Sequence, residues 1–416
     1  MNGKGMHGAG RRRFLGAVAA AATATLLAAC GGNGSSSANG QDAKEVTLGV
    51  ILPLTGSTAQ NGNNSRQGIE LAVELINKAG GIKSMKGAKI KLDIADASSD
   101  PAEAASAATK FVSKGQPPLA IIGAYASGLT ITVAQVTERR KVPLLTTAFS
   151  DELTKQGYQY LFQMPAKASA VGAAQMQYAV DIADQAGQKI KRAAIVYANN
   201  AYGESQAKGL QSQAQKLGLD IVLFEPYAPT LSDAGPVAQK VLAATPDAIF
   251  SVAYVTDGIL LTRALSARGN KIPVIGGVGG YITPDFKKAL GESVNGILSV
   301  DTSDPDKYGA IAKAYMDKYG ELMPQEAHDN AAAVYVFAQA LEMKPTTDSA
   351  TLVKTLHSET FDQGAAGSMP GGKVKFDESG ANTFAKPLMV QWQDGNLVGV
   401  WPADITANKP IWTKKS

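Results

Sequence analysis

The sequence predicts an α/β protein made of two doubly wound parallel-sheet lobes that are joined by crossover hinge strands. Short apolar runs alternate with stretches whose apolar residues recur at helical spacing, and this alternation restarts near residue 190. Alternating strands and helices are typical of parallel sheets with helices on both faces. The chain of 416 residues is also too long for one average domain and suits two.

The first block of alternation begins near residue 45. Asp100, Pro101 and Glu103 supply the N-cap, first-position proline and acidic first turn that are typical of a helix start. One helix face has apolar residues at i, i+3, i+4 and i+7, namely Ile69, Ala72, Val73 and Ile76. We predict strands at 46–52, 89–94, 119–122 and 142–146, with helices around 69–76, from Pro101 and over 128–140.

The second block repeats the pattern and ends in a different tail. Asp394-Gly395 is a hairpin turn signal between the last two strands. A helical tail on one lobe and a hairpin on the other would make the chain cross between lobes several times, so we expect a hinge there. We predict strands at 193–197, 221–224, 248–252, 273–275, 374–376, 388–392 and 397–401, with helices at 204–217, 236–244, 258–267, after Thr283-Pro284, around 308–319 and around 334–341.

Residues 1–29 have the features of an export signal. Arg11, Arg12 and Arg13 precede an uncharged apolar run that is shorter than the roughly 20 residues a membrane-spanning helix needs. The arginines fit a twin-arginine signal. Leu-Ala-Ala before Cys30 is similar to a bacterial lipobox, so we expect lipidation of Cys30 and anchoring to a membrane, the alternative being an ordinary signal with a chance cysteine. We interpret 30–45, rich in Gly and Ser, as the lipidated cysteine and a flexible tether.

Composition argues against several classes of function. The formal net charge of +4 resides in residues 1–29, which leaves no basic surface for nucleic acid. Cys30 is the only cysteine, so no disulfide forms within the chain. No serine elbow, Walker loop or metal-ligand spacing occurs. We therefore predict no catalytic site, no metal and no cofactor, and interpret His328 and His357 as surface or capping residues.

A family resemblance is carried by an ordered set of short motifs. They are Leu52-Pro53-Leu54-Thr55-Gly56, 59–62, Asp96, Asp100-Pro101, 122–127, 152–158 and 202–204. With these motifs the chain resembles the periplasmic leucine/isoleucine/valine-binding protein family. The resemblance implies the type I periplasmic binding protein fold, with lobe I at 46–163 plus 300–372 and lobe II at 164–299 plus 373–416. It also implies a monomer that captures an amino acid or related small polar metabolite by lobe closure and delivers it to the permease subunits of an ABC importer.

Candidate ligand contacts in the first lobe lie in strand-to-helix loops, because ligands of open α/β sheets bind beyond the carboxyl ends of the strands. Amide groups and the dipole at the helix start after Tyr125-Ala126-Ser127 suit a carboxylate. The resemblance gives Ser127 to the ligand carboxylate, whereas the alternative is a simple N-cap. It gives a carbonyl and a threonine of the next loop to the ligand ammonium, so Thr147 and Ala148 are candidates. Phe149 departs from the family pattern and is either an apolar wall, a surface for a cation, or core. Asn61, in the 59–62 motif, completes this set.

The second lobe supplies tyrosines and a glycine loop. Tyr202, Tyr254 and the loop 277–281 are candidate contacts, since tyrosine gives contact area and one hydroxyl. The resemblance implies a glutamate near this loop for the ligand ammonium, but Gly279 stands there. Asp257 is the expected replacement, with a solvated helix cap as the alternative. The loop lacks the third glycine of a dinucleotide site.

The nature of the ligand stays open at this point. Without the expected glutamate, a carboxylic acid, an amide or a urea-like compound competes with an amino acid. A ligand-sensing receptor of the same fold is an alternative function, and an exported hydrolase is the least supported one.

Overall fold

The computed structural model describes residues 42–412, which form two β-sheets with helices packed around them. The predicted export signal, Cys30 and most of the tether lie outside the described residues. No helix within 42–412 combines the length and the apolar character needed to cross a bilayer.

The first sheet has five parallel strands in the order β2-β1-β3-β4-β5. Every predicted strand and helix of this region is confirmed, and β5 is an addition whose three residues are too few to show a pattern. Its strands and helices are β1 Glu45–Leu52, α1 Ala59–Lys78, β2 Lys89–Asp96, α2 Pro101–Val112, β3 Ala120–Gly123, α3 Ser127–Arg140, β4 Leu144–Thr146 and β5 Leu161–Gln163.

The predicted start of α2 is confirmed in detail. Asp100 is the N-cap, and its Oδ1 accepts hydrogen bonds from the backbone amides of Ala102 and Glu103 at 2.8 and 3.0 Å. Two of the amides that a helix start leaves unpaired are thereby satisfied.

The second sheet has seven strands and is mostly parallel. The helix α4 and the strand β10 were not predicted, because α4 is alanine-rich without a narrow apolar stripe and β10 has polar residues, Ser299 and Asp301, at two of its four positions. The elements here are α4 Ala168–Gln185, β6 Arg192–Ala198, α5 Ala201–Lys216, β7 Asp220–Tyr227, α6 Gly235–Ala243, β8 Ala248–Val252, α7 Val255–Ser266, β9 Val274–Gly276, α8 Pro284–Leu290 and β10 Leu298–Asp301.

The tail returns to the first sheet and then back to the second. The predicted hairpin is confirmed, since Asp394 and Gly395 both have positive φ, 48° and 74°. The strand predicted at 374–376 is wrong, because Val374 and Phe376 form only single bridges, to Phe361 and Asn382. The elements of the tail are α9 Ala310–Tyr319, α10 Gln325–Met343, α11 Ser349–Ser358, β11 Leu388–Gln393 and β12 Asn396–Trp401. The last two strands are antiparallel and give the second sheet the order β12-β11-β10-β9-β8-β6-β7.

The chain crosses between the two sheets three times. We call the first sheet with α1–α3 and α9–α11 the first lobe, and the second sheet with α4–α8 the second lobe. The crossings follow β5, follow β10 and precede β11. The first and third lie side by side, since the Gln163 amide donates to the Gly380 carbonyl at 2.8 Å and the Asn382 amide donates to the Gln163 carbonyl at 3.1 Å.

The helix α10 is buried along most of its length and packs against α1. Close approach requires Gly68, because a Cβ there would lie 2.0 Å from the Ala327 carbonyl oxygen. The amide side chains of α1 that precede Gly68 are thereby brought to the beginning of α10.

Candidate functional site

A small cavity lies where the carboxyl ends of the two sheets face each other. Its volume is about 10 Å³, enough for roughly one water molecule. The first lobe contributes the loops after β3 and β4, and the second contributes the starts of α5 and α7 and the loop after β9. The lining residues are Tyr125, Ser127, Phe149, Tyr202, Tyr254 and Val278. Cavities of about 660 and 610 Å³ are larger, but each is lined by residues of one lobe, away from these loops.

Four aromatic rings meet across the cleft. Tyr125 lies 6.2 Å from Tyr254 and Phe149 lies 5.9 Å from Tyr202, measured between ring centroids, and each pair joins the two lobes. Tyr202 and Tyr254 are 5.4 Å apart within the second lobe. Burial raises the pKa of the Tyr125 and Tyr202 hydroxyls well above their usual value. Both hydroxyls therefore stay protonated, and that of Tyr202 donates to the Val278 carbonyl.

The two lobes also contact through polar groups. The Gln60 amide donates to Asp285 Oδ2 at 2.7 Å, and the Ser150 and Ser205 hydroxyls are 3.4 Å apart. The structure is therefore that of a closed cleft, in which the lobes must separate before a solute can enter.

Ser127 does not cap α3. The N-cap is Ala126, which makes no side-chain hydrogen bond, so the alternative of Ser127 as an N-cap is wrong. Instead Ser127 Oγ accepts from the backbone amides of Phe149 and Ser150 at 3.3 and 3.1 Å. Both lone pairs of the hydroxyl are then used. Its own hydrogen has no acceptor among residues 42–412 and is free to donate to a solute.

The loop after β4 contributes one residue to the cavity lining and two residues that lie behind it. Phe149 is buried, belongs to the hydrophobic core and also lines the cavity. Thr147 and Ala148 lie behind it. The Asn330 side chain donates to Thr147 Oγ1 at 3.1 Å, and the Gln163 side chain donates to the Ala148 carbonyl at 2.9 Å.

Asp257 is buried in the first turn of α7, so the alternative of a solvated cap is wrong. The Tyr227 hydroxyl donates to its Oδ2 at 2.6 Å. Burial raises the pKa of Asp257 to about 6, although hydrogen bonds offset part of the effect. Asp257 does not line the small cavity. It borders a second one of about 360 Å³ at the cleft mouth, which residues 56–58 of the first lobe also line.

Asn61 and Gly279 lie next to the cavity and contact each other across the cleft. Asn61 Nδ2 lies 3.3 Å from the Gly279 carbonyl oxygen. The same nitrogen donates to Glu326 Oε1 at 2.9 Å. Tyr281, at the end of the glycine loop, is fully buried against Phe286 and belongs to the core rather than to the cavity.

Glu326 and Asn64, which the sequence does not predict as candidates, lie beside Asn61 at the border of the cleft. Both are buried, and Asn64 Nδ2 donates to Glu326 Oε1 at 3.1 Å. No local signal in the sequence marks Glu326, because α10 begins with several polar residues, among them His328 and Asp329.

The interpretation of His328 as a surface or capping residue is wrong. Its ring is fully buried and stacks on Tyr308 with centroids 3.9 Å apart, and its Nε2 lies 2.7 Å from Ser368 Oγ. Within residues 42–412, no group of three or more His, Cys, Asp or Glu residues is arranged to hold a metal ion.

Two lobes of this kind, with a cavity at the facing carboxyl edges, define a solute-binding protein. Residues 45–396 match the periplasmic binding protein family. A "Leu/Ile/Val-binding protein homolog 8" of Brucella melitensis is 30% identical over 385 residues, which cover 89% of this chain and 94% of that relative. The chain belongs to the periplasmic binding protein family, as its sequence predicts. It is therefore an extracytoplasmic solute-binding protein, from a family that is not one of enzymes.

Solved structures show the same fold. The substrate-binding protein LivJ of Streptococcus pneumoniae, in complex with isoleucine, has a TM-score of 0.75 at 24% identity, over 86% of this chain and 100% of that one. A solute-binding protein of Rhodopseudomonas palustris, in complex with 3,4-dihydroxybenzoic acid, also has a TM-score of 0.75, at 18% identity over 89% of this chain and 99% of that one. One fold thus accommodates two classes of carboxylic acid.

Proposed function

We propose that this protein captures an aliphatic amino acid of the leucine, isoleucine or valine type in the cleft and presents it to the permease subunits of an ABC importer. The observation that carries the proposal is a cavity whose walls come from both lobes and which contains an uncommitted hydroxyl donor, that of Ser127. The names of the relatives support an amino acid as the solute.

The carboxylate of the solute binds at the start of α3. Ser127 is the first residue of this helix, where the backbone amides have no partner inside the helix and the dipole favours negative charge. The Ser127 hydroxyl adds a charge-assisted hydrogen bond, about twice as strong as a neutral one. A carboxylate is thus held by the first lobe before the cleft closes.

The hydrocarbon side chain of the solute packs among the aromatic rings. Phe149 and Val278 present only carbon to the cavity, and the tyrosines add ring faces. Burying a leucine-sized side chain contributes about 1.5–3 kcal/mol. Because rings of the two lobes touch in the closed structure, the solute enters an open cleft and the lobes close on it.

The protein is held at a membrane by its lipidated Cys30. This part of the proposal is supported by the sequence pattern of residues 11–40. The lobe boundaries given by the resemblance and the monomeric state belong to the same proposal.

The proposal is tested by a solute screen on protein that has been unfolded in guanidinium and refolded, so that carried-over solute is lost. L-leucine, L-isoleucine and L-valine are compared with 4-methylpentanoate, 3,4-dihydroxybenzoate and urea by thermal shift and calorimetry. A branched-chain amino acid at 100 times its Kd stabilises the folded state by about 2.7 kcal/mol. If 3,4-dihydroxybenzoate alone raises the melting temperature, the solute is an aromatic acid and the proposal is wrong.

A further inference from the structure

Glu326 is a buried carboxylate with one oxygen satisfied and the other not. Its side chain has no exposed surface. Oε1 accepts from the side-chain amides of Asn61 and Asn64 at 2.9 and 3.1 Å, while Oε2 has no hydrogen-bond partner within residues 42–412. In that part of the chain, no Lys, Arg or His nitrogen pairs with it either. A buried carboxylate is costly unless it is paired, so this oxygen requires a donor from elsewhere.

The carboxylate lies at the border of the cleft. Asn61 links it to the Gly279 carbonyl of the second lobe. Gly279 in turn contacts Tyr125 of the cavity wall, whose Oη would lie 3.0 Å from a Cβ at position 279. After burial, the charge of Glu326 is the largest influence that raises the pKa of the Tyr125 hydroxyl. These four residues form one cluster beside the cavity.

The glycine loop could not supply this charge itself. Gly279 has φ +92°, a conformation that residues with a side chain rarely adopt, and Tyr125 occupies the space into which a Cβ would project. The helix α10 supplies the acid instead. The close packing of α1 on α10 at Gly68 brings both amides to one oxygen of the carboxylate and leaves the other one free.

Asp257 is the competing acid, and its surroundings differ. The Tyr227 hydroxyl donates to Asp257 Oδ2 at 2.6 Å, and further hydrogen bonds from the backbone also favour its ionised form. It borders the cleft mouth rather than the small cavity. Within residues 42–412, Glu326 and Asp301 are the buried carboxylates that have an oxygen without a hydrogen-bond partner, and Glu326 is the one linked to the cavity wall, through Asn61, Gly279 and Tyr125.

We propose that Glu326 binds the protonated amine of the solute and so selects α-amino acids over acids that lack an amine. The inference rests on the proposed amino-acid binding and names the residue for its cationic end. In this arrangement the solute spans from Ser127, at its carboxylate, to Glu326 Oε2, at its ammonium. Burial raises the pKa of Glu326 to about 7, and a bound ammonium would favour the ionised form.

The test compares Glu326→Gln with wild type by calorimetry on refolded protein. The probes are whichever of L-leucine, L-isoleucine and L-valine binds wild type best, and its analogue without the amine. Gln keeps the shape and one acceptor but removes the charge, so we expect the affinity for the amino acid to fall by about 30-fold or more. The affinity for the analogue should stay equal or rise. Glu103→Gln, the same change at an exposed site of the first lobe, should behave as wild type.

Each outcome is decisive. If Glu326→Gln binds the amino acid as tightly as wild type while Asp257→Asn does not, the ammonium lies at Asp257 and the inference is wrong. If wild type binds none of the three amino acids, the proposed function fails first and the inference fails with it. Should Glu326→Gln not fold, as judged by its melting curve, Glu326→Asp retracts the charge by one methylene. The inference then predicts a loss of about tenfold, and unchanged affinity overturns it.

Discussion

Removing the Ser127 hydroxyl tests two contacts together, the proposed hydrogen bond to the solute carboxylate and the hydrogen bonds that hold the loop after β4. The hydroxyl connects the start of α3 to the loop after β4, because it accepts from the amides of Phe149 and Ser150. In Ser127→Ala, the solute carboxylate loses a donor and these two buried amides lose their acceptor. The variant should therefore be weakened in binding and in stability at once.

The expected sizes follow from the chemistry of each lost contact. A hydrogen bond to a charged group contributes about 1.5–3 kcal/mol, so the Kd should rise by about 10-fold to 150-fold. An unpaired buried amide costs about 1–3 kcal/mol, and partial relaxation of the loop reduces the sum. We expect the free energy of unfolding to fall by about 2–4 kcal/mol.

Calorimetry with the amino acid that binds wild type best measures the first effect, and urea unfolding of the solute-free protein measures the second. Ser84→Ala is the matched control, since its hydroxyl donates to the Leu341 carbonyl at 2.9 Å, at the opposite end of α10 from Glu326. The control should lose about 1 kcal/mol of stability and bind normally. If Ser127→Ala binds the amino acid with an affinity within about threefold of wild type, the proposed hydrogen bond between Ser127 and the solute carboxylate is refuted.

Four further outcomes are expected. Gly68→Ala should lower the free energy of unfolding by more than about 2 kcal/mol and weaken binding, because its Cβ would push α1 away from α10. Gly115→Ala, at a position with open space around it, should change neither quantity. Urea unfolding measures the stability and calorimetry the binding. Gly279→Ala should weaken solute binding by about tenfold or more in calorimetry, since its positive φ and its contact with Tyr125 hinder closure. Burial raises the pKa of Glu326 from 4.5 to about 7, so the folded protein holds a proton that the unfolded chain releases, and stability falls as pH rises through that window, by up to about 3 kcal/mol. Urea unfolding of solute-free protein at about pH 5 and about pH 8 checks this. Glu326→Gln should lose the part of the slope due to Glu326 and retain the part due to Asp257 and Asp301, whose pKa values are raised in the same sense. Small-angle scattering should show a smaller radius of gyration on solute addition, and an unchanged radius would contradict lobe closure.

Much of the fold was predictable because strand and helix periods differ and the chain alternates between them regularly. The omissions have physical reasons. The strand β5 has three residues, and in α4 alanines blur the boundary between the buried and exposed faces. The segment 374–376 has the apolar alternation of a strand but no neighbouring strand of its own to pair with.

The site was predictable where it depends on sheet geometry alone. Tyr125, Ser127 and Phe149 follow strand ends, and parallel strands deliver their carboxyl ends to one edge. Glu326 could not be found in this way. It reaches the cleft from a helix start because of close packing between helices whose contacting residues, Asn61 and Glu326, are 265 positions apart. Such a contact leaves no local pattern in the sequence.

The packing of α1 against α10 also constrains the order in which the parts of the molecule fold. The strands β1 to β5 leave the ribosome early, yet the helix that packs against them, α10, follows only after β6–β10 and α4–α8 of the second lobe have been synthesised. Until α10 has been synthesised, the apolar surface of α1 lacks the helix that covers it. Packing α10 on α1 then closes a very long loop of chain between the two helices. Neither lobe can therefore be produced as a single continuous fragment. A chain truncated before residue 325 should expose that surface and aggregate rather than yield a stable half-protein.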